Sequence, residues 1–229
     1  MPSKKVLVVL TSTSKYPGLN KPTGLWLAEA VHFVEKIKNA GFEIDYVSPQ
    51  GGYIPIDPTS LAAADELDYS YYTNKSFMDK LGCTKTPSDV TPSDYSVIYF
   101  TGGHGTVYDF PDNSELQELS RVIYESGGIV SSVCHGAVGL LNIKLSDGKL
   151  LIGGKKVTGF SNEEEKMIGL DTVVPFLTET EMVAKGGIFS KSSEAWGVHV
   201  VSDQRVVTGQ NPASAAKVAE EVISMLRAL

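Results

Sequence analysis

Residues 127–136 read Gly-Gly-Ile-Val-Ser-Ser-Val-Cys-His-Gly, and this decapeptide is the most informative part of the chain about its fold. The apolar run has the length of a buried strand, and a helix can begin at Ala137. Cys134 therefore falls on a strand-to-helix turn, where a nucleophile is held in a strained backbone conformation beside N–H groups. We expect these amides and the dipole of the following helix to favour the thiolate.

Strands and helices alternate on both sides of this decapeptide. Apolar patterns predict strands at residues 5–11, 42–48, 95–101, 197–202 and 204–208, and helices at residues 24–40, 113–126 and 213–229. The first three elements form a βαβ unit. The alternation predicts a single α/β domain, a doubly wound (flavodoxin-like) and mostly parallel sheet with helices on both faces.

Two segments interrupt this alternation. Residues 51–92 are rich in Pro, Asp, Tyr and Ser, and predict an inserted excursion over the strand ends with a helix near residues 74–81. Residues 150–160 predict a hairpin or a strand with a turn at Gly153-Gly154, and we expect residues 157–160 to join the main sheet. Asn162 can cap the helix that follows.

Composition and charge exclude several classes of protein. A chain of 229 residues suffices for one domain with a substantial core and is short for two. The 20 basic and 27 acidic residues give a net charge of −7, which argues against binding to nucleic acid. The apolar run at residues 6–10 is too short for a signal peptide, and no run is long enough to cross a membrane. The two cysteines lie in dissimilar contexts, which argues against a disulfide framework and favours the reducing cytoplasm.

Candidate catalytic side chains meet at the carboxyl edge of the predicted sheet. Cys134 ends its strand next to His135, which favours a nucleophile with a proton-accepting partner over a merely buried cysteine. Glu29, near the start of the first helix, faces the same edge, although a surface position is equally compatible with the residues alone.

Two further motifs belong to this edge. The loop Gly102-Gly103-His104-Gly105 can place N–H groups around an oxyanion, but taken alone it is more typical of a tight turn. The acidic run at residues 163–165 can orient the ring of His135, or it can be a solvated helix start. The four histidines show no metal-ligand spacing, so the sequence predicts no metal site.

Taken together, these motifs resemble the PfpI/ThiJ superfamily, whose fold is shared with class I glutamine amidotransferase domains. The resemblance is strongest to the branch of heat-shock chaperones and glutathione-independent glyoxalases (glyoxalase III), and it covers residues 1–229 as one domain. The motifs that carry it are Thr23-Gly24 followed by Glu29 and His32, Gly102-Gly103-His104-Gly105-Thr106, Val133-Cys134-His135-Gly136, Thr158-Gly159-Phe160 with the acidic run, and residues 208–214.

The resemblance implies a role for each of these residues. Cys134 is expected to be the nucleophile, His135 its partner and Glu29 the acid/base, with Glu165, or failing that Glu164, as the third triad member. Gly103, His104 and Gly136 are expected to line the oxyanion and substrate pocket. The chain departs from the branch at Ala137 and Phe33, where proline is usual, and these departures bear on the shape of the pocket.

The activity implied by the resemblance is a cofactor-free glyoxalase acting on methylglyoxal or a related small carbonyl substrate. Two alternatives remain open: a cysteine amidase or peptidase using the same residues, and a stress-response holdase or redox sensor in which Cys134 is oxidised. The resemblance also implies a homodimer.

Overall fold

The computed structural model describes residues 5–228, so that Met1–Lys4 and Leu229, the last residue of the predicted terminal helix, lie outside the described residues. The strands are β1 (Lys5–Val9), β2 (Glu43–Val47), β3 (Tyr95–Phe100), β4 (Ile129–Val133), β5 (Lys156–Val157), β6 (Ile188–Phe189), β7 (Val200–Asp203) and β8 (Val206–Gly209). Six of them form one sheet in the order β2-β1-β3-β4-β8-β7, parallel except for β7. The prediction of a doubly wound, mostly parallel α/β fold is confirmed.

Helices cover both faces of this sheet. They are α1 (Leu27–Asn39), α2 (Pro58–Ala62), α3 (Glu66–Tyr72), α4 (Lys75–Leu81), α5 (Thr106–Asp109), α6 (Ser114–Glu125), α7 (Asn162–Met167), α8 (Thr178–Ala184) and α9 (Ala215–Ala228), with 3₁₀ turns at Pro87–Asp89, Pro92–Asp94, Cys134–Leu140 and Pro212–Ser214. The three long predicted helices are thus present, with slightly shorter bounds. Within residues 5–228 every helix is too short or too polar to span a bilayer.

The core is divided into two apolar layers because successive residues of a strand point to opposite faces. Val6 and Val8 of β1 pack against α1 and α9, whereas Leu7 and Val9 pack on the side of α6. A strand that is covered on both faces must be apolar throughout, which explains the continuous hydrophobic runs of the sequence. Phe33 belongs to the first layer and stacks on Tyr99, with 3.5 Å between ring centroids.

The predicted excursion of residues 51–92 is present and packs beside α1. Its helices are α2, α3 and α4, and Asn74 caps α4 through a hydrogen bond from the amide of Phe77. Trp26, the residue before α1, provides no side-chain cap, but the Leu27 N–H donates to Ser60 Oγ of α2 at 2.6 Å. Ser60 of the excursion therefore provides the hydrogen-bond acceptor for the first N–H of α1.

Residues 150–160 contain a strand and a turn at Gly154, as predicted, but the predicted hairpin and the predicted pairing with the main sheet are wrong. These residues form no hairpin: β5 pairs in parallel with β6 in a separate two-stranded sheet. Gly154 does turn the chain (φ +73°), but its amide bonds to the carbonyl of Gly186, a partner too distant in sequence to be seen in the pattern. Thr158 contacts the main sheet through its N–H, which donates to Thr208 Oγ1. The helix that follows is capped by Ser161, not Asn162.

Ser60→Ala should lower the free energy of unfolding by about 1–3 kcal/mol, because it leaves the buried Leu27 N–H without an acceptor. Thr59→Ala, at the neighbouring exposed position, serves as the matched control. Urea denaturation of both variants and the parent measures the difference. Equal stability of the Ser60→Ala variant and the parent would show that the excursion does not anchor α1.

Candidate active site

Cys134 occupies the strained turn that the sequence predicts. It follows β4 directly with φ +56°, in the left-handed region that residues other than glycine rarely adopt. The 3₁₀ turn that begins here stands where a helix was expected from Ala137. Gly136 is pressed against the carbonyls of Phe100 and Thr101, where any Cβ would collide. The end of β3 therefore holds the turn in shape.

A network of two histidines and a glutamate lies beside the thiol. His135 Nδ1 is 3.5 Å from Cys134 Sγ, and its Nε2 is 2.5 Å from Glu165 Oε2. The other oxygen of Glu165 is 2.8 Å from His104 Nε2. All four side chains are buried. Sulfur, imidazole and carboxylate thus stand in the order of a nucleophile, a base and a group that orients the base.

Glu165 and Glu164 have different surroundings, although they are adjacent on α7. Glu164 closes a capping box with Ser161, and its Oε1 accepts hydrogen bonds from Trp196 N–H, Gln210 and Asn211. Glu164 therefore joins three loops. Glu165, and not Glu164, contacts His135. Burial opposes ionisation of Glu165, but His135 and His104 outweigh it and lower its pKa to about 2. Burial and the neighbouring His104 lower the pKa of His135.

The ligand atoms of His104, His135 and Glu165 lie within 4.8 Å of one another, which is close enough to share a metal ion. Each oxygen of Glu165, however, already has an imidazole nitrogen as its partner. The three side chains therefore satisfy one another without an ion.

Glu29 is fully buried, which excludes the surface position that the sequence left open. The Gly102 N–H donates to its Oε2 at 2.6 Å, and the Tyr99 hydroxyl donates to its backbone carbonyl. Its Oε1 is buried without a hydrogen bond of standard geometry. Burial raises the pKa of Glu29 to about 8, against a smaller lowering by the Cys134 thiol, which faces the carboxyl.

The expectation that the turn favours the thiolate is wrong. Burial, followed by the negative charge of Glu29, raises the pKa of Cys134 well above its usual range, and the His135 N–H opposes this only weakly. The sequence pattern places the amides but does not show that a carboxyl is buried against the sulfur. At neutral pH the Cys134–Glu29 pair therefore keeps its protons, and a base must remove one before the sulfur can attack.

The thiol opens into a cavity of about 150 Å³. Gly103 and His104 line it together with Cys134 and His135, as expected, whereas Gly136 lies outside its wall. Ala137 is also absent from the described residues of the wall, because it packs in the core against Gly159. The departure from proline at this position therefore does not shape the cavity.

Several wall residues were not identified from the sequence. Phe160 lies against His135 in a tilted arrangement with 4.3 Å between ring centroids, and Trp196 adopts φ +64° beside Phe160. Tyr16 and Lys21 come from the loop after β1. Periodicity cannot reveal residues in irregular loops, but the position of the first loop after a parallel strand is itself an indication that it borders the site.

Known proteins resemble this chain over most of its length. A model of the DJ-1/PfpI family matches residues 23–225. The glutathione-independent glyoxalase HSP31 of Saccharomyces cerevisiae is 36% identical over 99% of this chain and 100% of its own length. Glyoxalase 3 of Candida albicans is 34% identical over 96% of this chain and 97% of its own.

Two solved structures have the same fold over nearly their whole length. The crystal structure of glyoxalase III from Candida albicans superposes with a TM-score of 0.89 at 34% identity, covering 96% of each chain. The X-ray structure of the Francisella tularensis rapid encystment protein of 24 kDa gives 0.94 at 39% identity, covering 97% of this chain and 99% of its own. With a family model matched over most of its length and full-length relatives above 30% identity, this chain belongs to the DJ-1/PfpI family.

Proposed function

We propose that this protein is a glutathione-independent glyoxalase that converts methylglyoxal or a related 2-oxoaldehyde to a 2-hydroxy acid. The observation that carries the proposal is the buried Glu29 carboxyl, whose pKa of about 8 lies close to working pH, facing the Cys134 thiol. An acid/base that must take up and return a proton works best with such a pKa. The relatives named as glyoxalases support the same reaction.

In the first step the sulfur of Cys134 adds to the aldehyde carbon. His135 Nδ1, 3.5 Å from the sulfur, accepts the thiol proton, and Glu165 stabilises the imidazolium that forms. The aldehyde oxygen receives negative charge, and the backbone amides of Gly103 and His135 are the donors we assign to it. Proton transfer from His135 to this oxygen then gives a neutral hemithioacetal.

In the second step the fraction of Glu29 that is ionised, about a tenth at pH 7 for a pKa of about 8, removes the hydrogen from the former aldehyde carbon. The electron pair of the broken C–H bond forms an enediolate across the two carbons, and the hydroxyl of the hemithioacetal passes its proton to the neighbouring oxygen with the aid of His135. Glu29 then returns its proton to the adjacent carbon. The product is a 2-hydroxy thioester of Cys134. A single buried acid/base can serve both carbons because they are one bond apart.

In the last step water attacks the thioester carbonyl, with His135 as general base. The sulfur leaves and regains its proton, and the 2-hydroxy acid is released. Substrate and one water thus give one product, with no net oxidation. The cavity of about 150 Å³ lies below the roughly 300–1,000 Å³ of drug-sized ligand pockets, which favours a small carbonyl compound over a peptide.

We further propose that residues 1–229 form one family domain, since the main sheet takes its strands from both ends of the chain. A homodimer and a cytoplasmic location complete the proposal. The family resemblance supports the dimer. The two cysteines in unlike settings, Cys83 exposed and Cys134 buried, support a reducing compartment.

Cys134→Ala should reduce lactate formation from methylglyoxal, measured without glutathione, by at least about 10³-fold because the covalent intermediate cannot form. Cys83→Ala, the matched control at the exposed cysteine, should retain full activity. An unchanged rate in Cys134→Ala would refute the proposed mechanism. Amide hydrolysis by the parent, or protection of a client protein that survives Cys134→Ala, would favour the alternatives.

Glu29→Gln should abolish turnover while Cys134 remains open to alkylation, because glutamine cannot exchange the proton. Removing the negative charge of Glu29 also lowers the pKa of the thiol, so alkylation near pH 9 should be faster than in the parent. Mass spectrometry after iodoacetamide treatment follows the reaction. Slower alkylation would show that the carboxyl activates the sulfur instead of restraining it.

The free energy of unfolding should also depend on pH, because Glu29 holds its proton more tightly in the folded chain than in the unfolded one. Above pH 4.5 the unfolded chain releases this proton, whereas the folded chain keeps it up to pH about 8. The stability that the group contributes therefore falls as the pH rises through this window, by roughly 1.4 kcal/mol per pH unit.

Glu29→Gln removes this pH dependence, so its stability relative to the parent should increase by a few kcal/mol between pH 5 and pH 8. Urea denaturation at several pH values measures the difference, and Glu115→Gln on the exposed face of α6 controls for the substitution itself. A constant difference across the window would mean that Glu29 is ionised in the folded protein.

A further inference from the structure

His32, Asp65 and Asp68 form a second cluster of titratable groups, outside the site described above. His32 lies on α1, three residues after Glu29, and the two aspartates begin α3 of the excursion. His32 Nε2 is 3.1 Å from Asp65 Oδ2 and 3.4 Å from Asp68 Oδ1. The three ligand atoms lie within 4.8 Å of one another. The 32 residues between His32 and Asp65 explain why no ligand spacing is visible in the sequence.

A capping box holds the two carboxylates in position. Asp65 Oδ1 accepts the Asp68 N–H, and Asp68 Oδ2 accepts the Asp65 N–H. Each aspartate thus uses one oxygen for the helix and directs the other at His32. The backbone contacts hold the two carboxylates in place, and the remaining oxygen of each faces His32.

Two buried atoms of the cluster face each other without a hydrogen bond of standard geometry. Asp68 is only 2% exposed, yet its Oδ1 has no hydrogen-bond partner among the described residues, and neither has the buried His32 Nε2. The nitrogen lies within ion-pair distance of both oxygens, but neither contact has the geometry of a standard hydrogen bond.

The distances from His32 to the two aspartates are compatible with a metal centre. Zinc binds imidazole nitrogen and carboxylate oxygen at about 2.0–2.2 Å, which places tetrahedral ligands roughly 3.3 Å apart. The partial positive charge at the start of α3 disfavours a cation there, but the two negative carboxylates outweigh it. A surface cleft lined by all three residues, with Trp26 and Pro212 on its walls, gives an ion and its remaining water ligand access.

We propose that His32, Asp65 and Asp68 bind a divalent first-row transition metal ion, with zinc as the type case, and that the ion joins α1 to the excursion. One imidazole and two carboxylates suit zinc better than calcium or magnesium, which prefer oxygen ligands alone. The inference does not rest on the proposed function, since it concerns a separate cluster and its test measures binding.

Equilibrium dialysis against Zn²⁺ tests the proposal, with Cys134→Ala as the parent so that the active-site thiol does not compete. We expect one ion per chain in the parent, and an increase in its thermal unfolding midpoint on addition of zinc. His32→Ala should lose this ion and the thermal shift. His199→Ala, which removes another partly exposed histidine, should keep both.

Asp65→Asn provides the decisive variant if His32→Ala does not fold. Asparagine caps helices as well as aspartate does, so the metal-free protein should keep its stability. Its affinity for zinc should fall at least tenfold, because a neutral amide replaces a carboxylate ligand. Zinc binding that is absent from the parent, or unchanged in both His32→Ala and Asp65→Asn, would overturn the proposal.

Discussion

The hydrogen bond from the Gly102 N–H to the Glu29 carboxyl, 2.6 Å long and wholly buried, connects the parts of this molecule on which its chemistry depends. It joins the first turn of α1 to the loop after β3, and the thiol of Cys134 lies against both. The amide of Trp26, which donates to the carbonyl of Gly102, reinforces the same junction. Because these groups are shielded from water, a carboxyl there keeps its proton and the sulfur beside it does the same.

The site therefore combines two regions of opposite character. On the α1 side, burial raises the pKa values of Glu29 and Cys134 and keeps the pair neutral. On the α7 side, Glu165 is held ionised between two imidazoles. Cys134 lies between the two regions, so its proton can move towards His135 while Glu29 stays available for carbon acid chemistry. This division is the physical basis of the proposed reaction.

The excursion supports the site from outside. Ser60 satisfies the start of α1, and the capping box of α3 faces His32 on the same helix, one turn from Glu29. The excursion therefore helps to fix the position of α1, and with it the position of Glu29. It also contributes the carboxylates of the proposed metal site.

The sequence by itself determined the order of strands and helices, the turn at Cys134 and the group of residues that meet at the sheet edge, because these follow from local patterns of burial and from the rule that parallel strands end together. It could not determine the pairing of β5 with β6, the burial of Glu29, the choice of Glu165 over Glu164, or the raised pKa of the thiol. Each of these depends on contacts between residues far apart in the chain. Only the tertiary structure decides which polar groups lose water and which partners replace it.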